Sequence, residues 1–241
     1  QQDPSVIQTM QNIENFTQNY IANNPGARTV VTIPVVVHVV YNTNAENISD
    51  AQINSQLTVL NADYRKLNAD WSSTPSIWQG LVADCEINFC LAIRDPSGAA
   101  TTGITRTFTS TTAFSTNDNV KHTSTGGEDA WDATKYLNLW VCKLSGGVLG
   151  YAQFPGGVVA TDGVVITYTG FGTTGTATAP YNLGRTATHE VGHWLNLRHI
   201  WGDANCGNDQ VSDTPPAQTS NFGCPVFPHN SGVCSGNTQG E

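Results

Sequence analysis

Basic residues are scarce. Ten Lys and Arg stand against nineteen Asp and Glu in 241 residues, a formal net charge of -9. Nucleic-acid binding needs clustered cations to displace counterions from phosphates, so this balance excludes it. Long apolar runs are missing too. The longest, Ile33 to Tyr41, has strand length and is interrupted by Pro34 and His38, so no membrane partner is expected. None of the six cysteines (Cys85, Cys90, Cys142, Cys206, Cys224, Cys234) shows the C-x-x-C spacing of a zinc knuckle, which leaves disulfides as the better reading. Charged residues make up only 12% of the chain. Thr, Ser, Asn and Gly abound instead, as in secreted proteins rich in strands and loops. No leader is visible before Gln1-Gln2; for a secreted protein one is expected to have been removed or to lie outside this sequence. Hydrophobic residues at 39% suffice for a real core.

Chemistry concentrates in one stretch, His189-Glu190-Val191-Gly192-His193-Trp194-Leu195-Asn196-Leu197-Arg198-His199. On a helix, His189 and His193 share a face one turn apart. Two neutral imidazoles so placed can hold zinc, and Glu190 lies where a carboxylate can deprotonate an attacking water. His199 supplies a third ligand if the helix stops near Asn196 and the chain folds back. The bland alternative, a helix with two surface histidines and a charge, does not account for His199 at that offset. The spacing is the long metzincin pattern, with Asn196 where the pattern has glycine. After glycine, asparagine most readily takes the left-handed backbone such a turn needs.

The periodicities read as α+β. Ser5 to Ala22 carries Val6, Met10, Ile13, Phe16 and Tyr20 at helical intervals, and Asn23 to Arg28 breaks the pattern. Residues 1–28 are thus an extension, either a pro-segment remnant with Arg28 as a processing point or a helix packed on the domain. No cysteine precedes Cys85, so a pro-segment here would need another blocking group. Thr29 to Tyr41 reads as a buried strand, in which His38 is a core histidine. Ser49 and Gln52 resemble a capping box ahead of a stripe of Ile53, Leu57, Leu60, Tyr64 and Leu67. Trp71 to Gly80 reads as a loop. Further strands are expected over Cys85–Arg94, Gly103–Phe108, Tyr136–Leu144 and Gly163–Tyr168, with Thr109–Asp129 as a surface loop. Cys90 and Cys142, on neighbouring strands, either pair or pack. Asn182 is expected to cap the motif helix, Leu183 to Leu195. Beyond His199, the crowding of Asp203, Asn205, Asn208, Asp209, Asp213 and Thr214 reads either as a calcium site or as a solvated acidic turn.

Several segments together resemble the pappalysin family of metzincin peptidases, in particular its secreted bacterial members. They are Thr32–Tyr41, Tyr136–Cys142, Leu149–Pro155, Arg185–Leu195 and Asp213-Thr214-Pro215. The resemblance runs from about Thr29 to the C-terminus. It implies a metzincin-like zincin fold, with a twisted, mostly antiparallel-edged sheet, a backing helix and an active-site helix. Residues 29–195 would form an upper subdomain, and 196–241 part of a loop-rich lower one. It implies a secreted zinc endopeptidase with His189, His193 and His199 as zinc ligands and Glu190 as general base and acid. Leu149, Gly150, Tyr151, Ala152, Gln153 and Phe154 would form a rim on which an extended protein or peptide substrate adds as a strand. Calcium would be held by Asp203, Asp209, Val211 through its carbonyl, Asp213 and Thr214. Cys206 would pair with Cys234, leaving Cys224 for a cysteine beyond Glu241. Met10 is the only methionine and no tyrosine follows Tyr181; the family's methionine turn is therefore expected beyond Glu241. Two other readings remain open from sequence: a zinc-bearing peptide-binding module or inactive truncated form, and a scaffold with structural histidines.

Overall fold

The computed structural model describes residues 4–24, 26, 29–223 and 225–235. The chain divides into two units, Gln1–Asn68 with Asp84–Leu195, and Ala69–Ala83 with Asn196–Glu241.

The first unit is organised around β1 (Val31–Tyr41), whose residues Val35 to Val40 are all buried. Such a continuously buried run, apolar but for His38, suits a strand covered on both faces, as parallel sheets are. β1 pairs in parallel with β2 (Ile87–Leu91), β3 (Ile104–Phe108) and β4 (Leu137–Cys142), and β4 pairs in parallel with β6 (Val164–Thr167). β5 (Gly150–Ala152) runs antiparallel to β6 at the sheet's end. The order is β2-β1-β4-β6-β5, with β3 also on β1. Of the two edges only the β5 edge is antiparallel, a narrower form of the antiparallel-edged sheet expected. β2 covers only the middle of the expected strand 85–94.

One sheet face packs under α2 (Asp50–Tyr64) and α3 (Arg185–Trp194), where Ile53, Leu57, Leu60, Leu139, Val164, Ile166, Ala187 and Val191 form the main core. Each Val, Leu or Ile side chain among these contributes about 1.5–3 kcal/mol of burial. Ser49 Oγ accepts the Gln52 amide at 3.2 Å, so the cap is real. The Gln52 side chain, however, does not return to Ser49; it bonds the Tyr168 and Phe171 carbonyls. The stripe ends with Tyr64, and Leu67 lies beyond the helix, exposed. The opposite face buries Val40, Phe114, Val120, Trp140, Cys142, Leu144 and Val165. Phe114 and Val120 come from 109–129, so that segment is not the surface loop its polarity suggested: short 3-10 turns at Asn119–Lys121 and Thr123–Thr125 fold it onto the sheet.

His38 is fully buried. Its Nε2 bonds Asn138 Oδ1 at 3.0 Å and its Nδ1 bonds Thr105 Oγ1 at 2.9 Å. Cys90 is exposed on β2 and Cys142 is buried in β4, both as free thiols, so they do not pair. α1 (Pro4–Asn23) buries none of its side chains; Thr9 and Ile13 lie beside Gly156. Arg28, the expected processing point, lies outside the described residues.

The second unit is built from turns. Its regular structure among the described residues is a 3-10 helix at Ala69–Ser73, which overlaps the start of the expected loop, Trp71 to Gly80. Cys206 and Cys234 form a disulfide, S–S 2.02 Å. Cys224 lies outside the described residues.

Candidate metal centre

α3 is placed by α2. Gln56 donates to the Gly184 carbonyl (2.9 Å) and accepts the Gly172 amide (2.7 Å). Gln52 donates to the Tyr168 (3.1 Å) and Phe171 (2.9 Å) carbonyls and accepts the Thr176 amide (2.9 Å). These two buried glutamines fix the loop that delivers the motif helix. Asp63 ion-pairs with Arg185 and accepts from Thr188 Oγ1 at 2.6 Å, and Tyr64 donates to the Thr188 carbonyl at 3.0 Å. The helix begins at Arg185 after Gly184, whose φ is 72°, with no side-chain cap. The expected Asn182 cap is therefore corrected: a left-handed glycine makes the entry turn. The sequence signal missed was a pair of glutamines, i and i+4, beside the apolar stripe of α2.

Within α3, His189 Nε2 and His193 Nε2 face each other at 2.9 Å. Two N–H groups cannot meet at that distance, so one nitrogen at least presents a bare lone pair. The helix ends at Trp194, and Asn196 takes φ 78°, the left-handed turn its residue type allows. His189, His193 and His199 each offer a ring nitrogen, and these lie within 4.8 Å of one another. Ligand nitrogens about 2.0–2.1 Å from zinc stand roughly 3.3 Å apart in a tetrahedron, so the three-imidazole set fits that metal. Nδ1–H of His199 donates to Asp203 Oδ1 at 2.6 Å, and its ring stacks on Trp201 with centroids 4.2 Å apart. A carboxylate on Nδ1 leaves Nε2 as the basic nitrogen, the usual second partner of a metal-binding histidine. Asp203, expected among the calcium ligands, is thus engaged with His199. Asp209 Oδ1 accepts the Val211 amide at 3.1 Å. Among the described residues, the His triad is the one group of three such side chains gathered closely enough to hold a metal. Asp203, Asp209 and Asp213 are not so gathered.

Glu190 is 8% exposed, and burial pushes its carboxyl up to about 7; a cation beside it would pull the value back down. It packs under β5. A β-carbon on Gly150 would stand 2.9 Å from Glu190 Cγ and 3.0 Å from Ile166 Cδ1. The expected rim residues follow along β6. Thr167 N donates to the Leu149 carbonyl (2.8 Å), Gly150, Tyr151 and Ala152 pair with Ile166, Val165 and Val164, and Gln153 N donates to the Gly163 carbonyl (3.1 Å). The Gln153 side chain bonds the Val158 carbonyl and Thr161 Oγ1. The Phe154 ring lies 5.2 Å from that of His193. Tyr151 turns its side chain to the other face, into the second core. Trp194 Nε1 donates to Asp162 Oδ1 at 2.6 Å, a carboxylate whose pKa burial raises.

Comparison with known proteins points to a peptidase family. The Peptidase M43 family model, described as pregnancy-associated plasma protein-A, matches residues 118–239. An extracellular metalloprotease of Pyricularia oryzae is 30% identical over 231 residues, 93% of this chain and 69% of the relative. Matches at higher identity are shorter, and the chain spans about a third of the length of those relatives (34% and 33%). Mature mirolysin of Tannerella forsythia, solved with a cleaved peptide, superposes with a TM-score of 0.85 at 53% identity, covering 89% of this chain and 82% of that one. A Tannerella forsythia promirolysin mutant superposes at 0.87 and 48% identity, covering 99% and 82%.

Proposed function

The chain belongs to the Peptidase M43 family, the pappalysin branch of the metzincin metallopeptidases, and on that premise we propose that it is a secreted zinc-dependent endopeptidase. The observation that carries the reading is the gathering of three imidazole nitrogens within 4.8 Å, with the buried Glu190 next to His189 in the chain. His189, His193 and His199 hold the metal, and Asp203 orients His199. Zinc, when bound, supplies Lewis-acid polarisation of a carbonyl and water that is acidic near neutral pH. Glu190 takes a proton from the attacking water and returns it to the leaving amine. Its burial keeps that carboxylate away from competing solvent. The free edge of β5 offers main-chain groups to an extended substrate, which adds as another strand.

Secretion is supported by the extracellular naming of the relatives, and no helix among the described residues is long and apolar enough to cross a membrane. Calcium belongs to the same proposal. It rests on the family resemblance alone: Asp203, Asp209, Asp213, Thr214 and the Val211 carbonyl would be its oxygen donors, and the carboxylates, not gathered in this structure, would have to close around the ion. Residues 1–28 are assigned as a pro-segment remnant, because α1 stands outside the core and rests Thr9 and Ile13 at Gly156, just beyond the rim. The division into two subdomains, 29–195 and 196–241, belongs to the same proposal.

Glu190→Ala tests the chemistry. The variant should keep zinc and lose cleavage of a denatured protein by about 10²–10⁴-fold. Comparable cleavage at equal zinc content would remove Glu190 from the role. Wild-type protein that binds peptide with stoichiometric zinc yet never cuts it would favour a binding module instead.

A further inference from the structure

The sheet face opposite the histidines holds a buried cation that this chemistry does not use. Lys121 is 1% exposed. Its Nζ donates to the Thr161 carbonyl at 2.7 Å. It stands 2.9 Å from Asp118 Oδ1, paired as charges although the approach is not aligned as a hydrogen bond. It also lies 5.4 Å from the centre of the Trp140 ring and 5.1 Å from that of Tyr151. Burying an ammonium costs several kcal/mol, and burial does lower the Lys121 pKa, with Asp118 pulling it back. A chain with few basic residues has nevertheless placed one here.

The register shows what the cation joins. Trp140 of β4 and Tyr151 of β5 both pair with Val165 of the intervening β6. The three side chains form one cross-strand row, and the ammonium reaches the aromatic rings at both ends. β5 needs such a hold. It is three residues long, pairs only with β6, and its Tyr151 hydroxyl is buried without a hydrogen-bond partner among the described residues. A slip of one residue would exchange its faces. Tyr151 would leave the second core, and Gly150 would leave the space over Glu190. The Thr161 carbonyl extends the hold, since the next residue, Asp162, accepts the indole of Trp194 beside His193.

We propose that Lys121 is a positioning residue of the peptidase: by engaging the Trp140 and Tyr151 rings together, it fixes the register of β5 and so the edge that receives substrate. The inference rests on the rim reading given above. Its test uses the full chain with Lys121→Met and Lys121→Arg, two peptides (four and eight residues) around one scissile bond, and amide hydrogen exchange along the sheet. In Lys121→Met, the KM of the longer peptide should rise roughly 30-fold, about what a desolvated cation–π contact is worth, with kcat little changed. The longer peptide should lose its advantage over the shorter, and Lys121→Arg should restore it. Amides of Tyr151 and Gln153, which bond to β6, should exchange faster while those of β1 keep their protection. If Lys121→Met does not fold, Trp140→Leu removes the ring that lies outside the rim and should give the same pattern. A folded Met variant with a wild-type KM ratio and unchanged β5 exchange overturns the proposal. If the wild type cleaves neither peptide, the peptidase reading fails, and the exchange arm still decides whether Lys121 holds β5.

Discussion

Gly150 lies on Glu190. The side chain missing at position 150 would have occupied the space that Glu190 Cγ and Ile166 Cδ1 fill. This glycine is there for room, since its backbone is not in the left-handed region. Gly150→Ala should therefore push either the rim strand or the carboxylate from its place. We expect kcat to fall about 10- to 100-fold, the scale of a displacement near 1 Å at a reacting group, with zinc content unchanged. Steady-state kinetics alongside metal analysis checks this, and an alanine variant at full kcat would show that the two groups can part without consequence.

Asp203 holds the third histidine by Nδ1. Asp203→Asn retains an acceptor and loses the charge; Asp203→Ala loses both. Zinc affinity should weaken by about 10–100-fold in the alanine variant and less in the asparagine one. Competition with a chromogenic chelator measures it, and equal affinity in all three proteins would contradict the role.

Gln56 is fully buried and satisfies both the Gly184 carbonyl and the Gly172 amide. Gln56→Leu keeps the volume and orphans two backbone groups, each costing about 1–3 kcal/mol. The expected loss is about 2–4 kcal/mol in urea denaturation. A leucine variant as stable as wild type would mean that water or a shifted loop supplies the missing partners.

His38 sets a pH dependence. Burial lowers its pKa from 6.5 to about 4, against the raising effect of its bond to Asn138. The unfolded chain therefore binds the proton first as pH falls. The stability that neutral His38 confers is complete above pH 6.5, declines as pH drops, and is lost by about pH 4. The full difference is about 3 kcal/mol. His38→Gln keeps hydrogen-bonding capacity without titrating. Its melting temperature should vary less between pH 6.5 and 4 than that of wild type, and parallel curves would exclude His38 as the source.

Legibility in the sequence followed the range of the interactions. β1, the Ser49 cap, the motif helix and the Asn196 turn rest on neighbours within a few residues, and periodicity or residue type exposes them. The segment 109–129 looked like a surface loop because Phe114 and Val120 are isolated apolar residues without a period, and only contact with Trp140 and Val165 shows them to be core. Gln52 looked like a capping-box residue and Gln56 like an ordinary helix residue, because the partners of their side chains lie 116 or more positions away. Asn182 was a reasonable cap by residue type, but the chain enters α3 through Gly184. Asp203 drew notice as an oxygen ligand, whereas its partner is a ring nitrogen four residues earlier. Three imidazoles and a carboxylate could be named from spacing alone. The groups that aim them could not.

The brevity of β5 has a bearing on solubility. A sheet edge left unpaired invites strands from other copies, and long flat edges are where soluble proteins begin to assemble into fibrils. The proposed function needs some edge left bare for a foreign strand. Here it spans Gly150 to Ala152, with Gly146 and Gly147 turning the chain before it and Pro155 soon after. That length allows a peptide to register and then leave, and it gives a second copy too little to hold.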